Sequence, residues 1–531
     1  MKNFEADSNG KKSTRLIQIE KAMKKANTLL EWKELAEDHD LASGASRWKT
    51  VDQTRLYDFA SIRIRIDKLR ALRANHDDHG LLFALNEGVH GNMGGMGKPM
   101  LYTKAKIGTK KLIEDYVQEI SNSLEYIARL DDQKLSRESR LEFFQRASHC
   151  YGRTALMLSG GGALGNFHLG VIKVLMEQKL LPVVISGSSA GAFIAAIVGT
   201  HTEQELLKMY DDGSLLAAVS MGAGKFKFAL KRGELIGINE VEEGIARLVP
   251  DMTFQQAYEK TGRSINISIS PYEPQQRSRL LNAIASPNVL IRSAVMASCA
   301  IPGVFPPVTL MARNVHGETQ PYLPSRRWID GSFSQDLPSK RLTRMYGVNH
   351  FIVSQVNPHV LPLVTDPATQ QGLRGAFSQF MRTMTKESLR GTLGFMHRRM
   401  NMSPRAHMTL NSMYALFDQE YTGDINIFPN SRFFDPRKII SAMTAEEIQF
   451  FLREGERATW PKISAIETNT RIGRTLDRIL IDFERRQSHW LHTGPKTDSF
   501  VDSLRESLGG PVCEMESDKV NDAVCDRTEV S

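Results

Sequence analysis

Three short clusters carry residue types and spacings that could do acyl chemistry. Ser189 stands in Gly187-Ser188-Ser189-Ala190-Gly191, a G-x-S-x-G pattern that sets a serine on a sharp strand-to-helix turn. A serine hydroxyl is a weak nucleophile that must be open to substrate and within reach of a base. Glycines two residues to either side, Gly187 and Gly191, let the backbone bend and neighbouring elements approach. Ser188 does not occupy that slot. Attack on an ester carbonyl creates an oxyanion, which needs preorganised N–H donors. Gly160, Gly161, Gly162 and Ala163, just ahead of Leu164 and Gly165 at the start of a helical pattern, offer several, with a favourable helix dipole. Asp330, followed by Gly331, supplies a carboxylate at the end of an apolar stretch. Read alone, an Asp-Gly pair is a turn; behind the other two clusters it becomes a candidate base.

The elements that must position these residues are legible around them. Apolar residues 155–158 predict a strand, and Leu164, Leu169, Ile172 and Leu175 recur at helical spacing after the glycines. A second short strand at 183–185 runs into the Ser189 turn, and small residues 192–198 predict the following helix. Two rival readings compete. Gly160-x-Gly162-x-x-Gly165 after a strand is also a dinucleotide-binding pattern, but that pattern requires an acid at the end of the second strand, where this chain has Ser186-Gly187. A membrane span over 181–199 has nearly the right length, yet the polar turn inside it would leave backbone groups unpaired in lipid.

Taken together, GGGALG at 160–165, GSSAG at 187–191 and Asp330-Gly331-Ser332 resemble the three signatures of the patatin-like phospholipases. FHLGV at 167–171, KLLP at 179–182, Gly108-Thr109-Lys110 and YTGDINIFP at 421–429 are similar to the fungal and plant triacylglycerol lipase branch of that family. The resemblance is strongest over residues 155–340. It implies an α/β fold, a patatin-like three-layer sandwich with a mainly parallel central sheet, plus helical N- and C-terminal extensions. It also implies a Ser189–Asp330 dyad in place of a triad, an oxyanion loop at 160–163, and no cofactor or metal. Many members carry a cation after the triple glycine; Ala163 stands there in this chain.

Composition fits a folded chain. Of 531 residues, 41% are hydrophobic and 24% charged, and the net charge of +8 suits an anionic lipid surface without implying nucleic-acid binding. Four cysteines without metal spacing suit a reducing compartment, and the lysine-bearing N-terminus lacks an apolar core, so an intracellular, cytoplasmic or peripheral-membrane location with no signal peptide or transmembrane span is expected.

Along the chain, residues 15–36 predict one surface helix burying Leu16, Ile19, Met23, Ala26 and Leu30, and residues 52–72 and 109–130 predict further helices. His76-Asp77-Asp78-His79 could be metal ligands, but their place at a helix end favours a solvated cap. SINISIS at 264–270 alternates as a strand, and 351–356 predicts another. Lys225 to Arg232 interleaves aromatics with cations, as a lipid-facing lip or an edge strand would. The basic, amphipathic stretch 372–402 fits either a membrane-surface helix or a packed helix with a solvated basic face.

The expected organisation is a helical extension at 1–150, a catalytic domain at 151–345, a C-terminal completion of the fold at 346–493, and a polar, disordered tail at 494–531. The expected function is hydrolysis of lipid acyl esters, triacylglycerol or phospholipid, with a lipid ester substrate and peripheral contact with a membrane or lipid-droplet surface. Two alternatives stand beside it: a Ser-His-Asp hydrolase using His350 or His359, and a non-catalytic lipid-surface scaffold.

Overall fold

A computed structural model describes residues 14–221, 238–273, 276–302, 305–358, 360–361, 421–429 and 443–493. The described residues divide into two compact units between Asp477 and Arg478. The second contains the last turns of the helix Ile463–Thr493, and the first contains all the strands and the remaining helices. The stretches 225–232, 372–402 and 494–531, and His359, lie outside the described residues.

Strand β1 (Arg153–Leu158) lies between β2 (Val184–Gly187) and β8 (Val348–Ser354), parallel to both. On the far side of β2 runs β3 (Ser264–Pro271), also parallel, and beyond β8 runs β9 (Ile425–Ile427), parallel again. Two short strands, β4 (Arg279–Leu281) and β7 (Trp328–Asp330), pair antiparallel with β3 and complete a seven-stranded sheet. A separate hairpin joins β5 (Leu310–Arg313) to β6 (Thr319–Tyr322). Parallel neighbours need crossover connections, and these are the helices Asn166–Glu177 between β1 and β2 and Ala190–Thr200 after β2.

Alternation along β1 gives the sheet two buried faces. Leu156 and Leu158, with Ile185 and Ile352, join the large core beneath both crossover helices. Ala155 and Met157, with Val184 and Val353, face a smaller cluster containing Leu342 of the helix Ser339–Tyr346. Helices on both faces make three layers, as expected of the α/β class. They also explain β3. SINISIS alternates, but its polar members Asn266 and Ser268 are buried, and the Asn266 amide bonds the Ser264 carbonyl at 2.9 Å and accepts from Asn282 Nδ2 at 2.9 Å.

The helix Asn166–Glu177 crosses the helix Ala445–Thr459 at a pair of glycines. A methyl group on Gly170 would strike the Leu452 carbonyl oxygen, and one on Gly455 the Phe167 carbonyl oxygen. The backbones therefore touch, with Lys173 Nζ 2.6 Å from Glu456 Oε1 beside the crossing. Gly170→Ala is expected to destabilise the fold by about 1–3 kcal/mol through overpacking, read as a lowered urea midpoint with little change in slope.

The N-terminal helices pack against this same C-terminal region. Trp32 and Trp460 stack obliquely with ring centroids 6.5 Å apart, Arg457 Nε donates to the Ala26 carbonyl at 3.0 Å, and the Gly108 N–H donates to Ser464 Oγ at 2.9 Å. The single helix expected over 15–36 is in fact two, Thr14–Lys25 and Leu29–Ala42. Thr28 restarts it by accepting the Glu31 N–H at 3.2 Å, and Glu31 answers by accepting the Asn27 N–H. The restart changes the phase: Trp32 and Ala36 are buried, and Leu30 is 69% exposed. The expected helix over 52–72 begins later, at Phe59, where Asp58 caps it by accepting the Ser61 N–H, and it buries Ile62 and Ile66 as its spacing requires. In the His76 to His79 cluster, Asp77 caps the helix Asp78–Asn86 by accepting the Gly80 N–H at 2.8 Å. Among the described residues no group of three or more His, Cys, Asp or Glu is placed to hold a metal ion.

Candidate active site

Register explains how Ser189 and Asp330, far apart in sequence, come together. Ile267 of β3 pairs with Gly187 of β2 on one side and with Leu281 of β4 on the other. Two residues on, Ile269 pairs with β4 through Arg279 and with β7 through Asp330. A strand has two edges, so β7 takes the edge that β2 vacates when its chain turns off the sheet. Asp330 therefore sits two residues beyond the end of β2, as Ser189 does along its own chain. The Ser189 hydroxyl hydrogen-bonds the Asp330 carboxylate.

The turn that presents Ser189 is strained and tightly braced. Ser189 has φ 51° and ψ −120°, outside the regions an L-residue prefers. A Cβ on Gly187 would strike the Gly191 carbonyl, and one on Gly191 the Leu158 carbonyl, so both glycines are needed for the chain to fold back on β1. The Ser189 N–H donates to Ser298 Oγ at 2.9 Å, and that hydroxyl donates onward to the Ser268 carbonyl at 2.8 Å. Cys299 Sγ lies 3.5 Å from the Ser189 carbonyl, and burial, reinforced by Asp330, pushes its thiol far up, so it stays protonated. Ser189 itself is 7% exposed; Ser188 is fully buried, its N–H donated to the Leu158 carbonyl at 3.2 Å.

Asp330 is almost completely buried. Burial pushes its carboxyl up to about 6, and this is partly offset by hydrogen bonds from the Ser332 N–H at 2.8 Å, the Ser189 hydroxyl and the Ser332 hydroxyl. It is thus ionised at neutral pH and close enough to neutrality to accept a proton. Gly331 lies against the Ser268 carbonyl with no room for a side chain.

The glycine loop closes over this pair. A Cβ on Gly160 would come 3.0 Å from Ser332 Cβ and 3.3 Å from Ser189 Cβ, so the loop abuts both. Gly162 has φ 57°, and a short 3₁₀ turn, Gly162–Gly165, leads into the helix Asn166–Glu177. Gly165 packs on Ala190, a Cβ there coming 2.6 Å from the Ala190 methyl, which ties the loop to the Ser189 turn. The N–H of Gly160 is already committed to Asp336 Oδ1 at 2.8 Å. That leaves Gly161, Gly162 and Ala163 of the four loop residues expected to bind an oxyanion.

Three supporting groups are not marked out by the sequence: Ser298, Asp336 and His168. In the structure His168 Nε2 lies 3.0 Å from the Ser159 carbonyl and Nδ1 2.7 Å from Ser354 Oγ, and burial pushes the ring down to about 4, so it is neutral and braces the start of the glycine loop.

His350 is elsewhere. It pairs with Thr154 at the beginning of β1, whereas Ser189 follows the strand paired with Leu158 at its end. That separation is roughly 13 Å along the strand at ~3.3 Å per residue. His350 Nδ1 lies 3.3 Å from Thr154 Oγ1 and the ring lines a cavity of about 680 Å³ with Asp424 and Asn349.

Comparison with known proteins gives the class. Residues 156–342 match the patatin-like phospholipase family, and residues 9–149 match a domain of unknown function, DUF3336. The chain is 34% identical over 471 residues to triacylglycerol lipase SDP1L of Arabidopsis thaliana, covering 86% of this chain and 57% of that protein. It is 32% identical over 481 residues to triacylglycerol lipase 5 of Saccharomyces cerevisiae, covering 85% and 63%. With triacylglycerol lipase ptl3 of Schizosaccharomyces pombe it shares 32% identity over 463 residues, covering 84% of this chain and 93% of that one. The chain belongs to the patatin-like phospholipase family. It spans less than two thirds of the plant and budding-yeast relatives it matches.

Proposed function

We propose that the chain is a serine hydrolase of lipid acyl esters, with triacylglycerol as the leading substrate class, working through Ser189 and Asp330. The observation that carries this reading is the hydrogen bond between a serine on a left-handed turn and a buried carboxylate with its proton affinity raised toward neutrality. Three relatives named triacylglycerol lipase support the substrate class.

In the proposed reaction Asp330 takes the hydroxyl proton as Ser189 Oγ bonds to the ester carbonyl carbon. The N–H groups of Gly161, Gly162 and Ala163 hold the resulting oxyanion. Collapse of the tetrahedral intermediate breaks the bond to the alcohol oxygen, which leaves with the proton from Asp330. Water, giving its proton to the same carboxylate, then attacks the acyl-enzyme, and the fatty acid departs as the proton returns to Ser189. No step calls for a metal or an organic cofactor. Residues 151–345 would carry this chemistry and residues 1–150 would support it by packing. A substrate insoluble in water would be met at the surface of a membrane or lipid droplet. Among the described residues no helix is long and apolar enough to cross a membrane.

Emulsified triacylglycerol, diacylglycerol, phosphatidylcholine and lysophosphatidylcholine, each radiolabelled in the acyl chain, should be offered to purified protein and to Ser189→Ala. The proposal expects free fatty acid from triacylglycerol at the highest rate and none above background from the variant. Release of fatty acid by both proteins alike would overturn it.

A further inference from the structure

Among the described residues, Asp336 is the one buried carboxylate near the site that the proposed reaction does not use. It is 1% exposed, its Oδ1 accepts the Gly160 N–H at 2.8 Å, and its Oδ2 faces Asn357 Nδ2 at 3.4 Å. The same stretch of chain is held from the other side. The Ser159 N–H donates to the Ser354 carbonyl at 3.1 Å, Ser159 Oγ donates to the Gly160 carbonyl at 2.9 Å, and the Val356 N–H donates to Ser159 Oγ at 2.9 Å. Gly161 is pressed against Val356, with a Cβ there coming 2.7 Å from Val356 Cγ2. Both polar groups of Gly160 are thus tied down, its N–H by Asp336 and its carbonyl by Ser159.

Such bracing matters because three consecutive glycines are the least constrained backbone a loop can have. Donors that stabilise an oxyanion do so only when they need no reorganisation at the moment of reaction. We propose that Asp336 is the positioning residue of the oxyanion loop, fixing the Gly160 peptide so that the N–H groups of Gly161 to Ala163 stay ordered for the substrate. This rests on the proposed Ser189 reaction.

The surroundings of Asp336 add a pH dependence. Burial pushes its carboxyl up to about 7, with the charge of Asp330 adding to the rise, and bonds from the Gly160 N–H and Asn357 opposing it. The titratable groups that face it are Asp330 and Tyr421, whose own hydroxyl is pushed far up by burial and by Asp336. Ionised, Asp336 makes a charge-assisted bond to the Gly160 N–H; protonated, it is a weaker acceptor. The grip on the loop therefore tightens as pH rises through neutrality, just above the range in which Asp330 loses its proton.

The test uses a soluble p-nitrophenyl ester, an alkyl fluorophosphonate, and the variants Asp336→Ala and Asp336→Asn between pH 5 and 9. Asp336→Ala should lower kcat about 10- to 100-fold, below the 10²- to 10³-fold cost of losing an oxyanion donor outright. KM should stay within about threefold, and labelling by the fluorophosphonate should slow by a factor similar to that for kcat. Asp336→Asn keeps only a neutral acceptor for Gly160, as protonated Asp336 does, and should recover only part of that loss at pH 8. Its rate should fall on the acid side with the slope of one ionisation, where the wild type steepens toward two. A folded Asp336→Ala protein with wild-type kcat overturns the proposal. Should that variant fail to fold, an Asp336→Asn profile as steep as the wild type overturns it instead. A wild-type protein that neither labels at Ser189 nor cleaves the ester defeats the underlying reaction, a result distinct from either.

Discussion

Replacing Ser189 with alanine should abolish ester hydrolysis, by about 10³-fold or more, and abolish labelling by an alkyl fluorophosphonate, because the acyl-enzyme has no atom on which to form. The wild-type protein should gain one phosphonyl group, with loss of fluoride, and peptide mapping should find it on Ser189. The neighbouring serine provides the control. Ser188 is buried, with its N–H committed to β1, while Ser189 alone occupies the turn and contacts Asp330. Ser188→Ala should retain appreciable turnover. A label found on another serine, or hydrolysis that survives Ser189→Ala, would remove the nucleophile from the proposal.

The second large effect belongs to Asp330→Asn. An amide keeps the size of the carboxylate and can still accept the Ser332 N–H, but it cannot take the Ser189 proton, so kcat should fall by about 10²- to 10⁴-fold. In the wild type the same group sets an acid limb: the base must be ionised, so kcat/KM should fall as pH drops through about 6. Stability should move the other way. The folded carboxyl binds its proton more tightly than the ordinary value of 3.8, so the stability it contributes is fully present below that value and is lost as pH rises through about 6. Asp330→Asn removes a buried charge and should unfold in urea no earlier than the wild type at pH 8, an inactive protein that is at least as stable. His350→Ala, altering a ring at the other end of β1, should keep turnover within about threefold. Equal loss in the His350 and Asp330 variants, measured on the same ester, would replace the dyad with a triad.

Much of this was legible because it is local. Gly187 and Gly191 around Ser189 are required by a turn whose two ends collide with any side chain, and such steric demands are written into neighbouring residues. The strand and helix on each side of both glycine clusters follow from apolar spacing within a few residues. Even the departures in the N-terminal region have local causes, since Thr28 and Asp58 are side-chain caps that reset a helix start.

What the sequence by itself determined, then, is the pair of glycine-flanked turns, the elements that carry them and the chemical types gathered there. That Ser189 meets Asp330 was decided by tertiary structure, because it depends on β7 entering the edge of β3 that β2 leaves free, a pairing set by register across the sheet. The roles of Asp336 and Ser298 were decided there too. Each acts by bonding a backbone N–H far away in the chain, Gly160 or Ser189, and hydrogen bonds between distant residues leave no periodicity or motif at either end. The buried polar face of β3 and the glycine contact between Gly170 and Gly455 arise in the same way: burial and close approach are properties of what packs opposite, and the residue itself carries no sign of its neighbour.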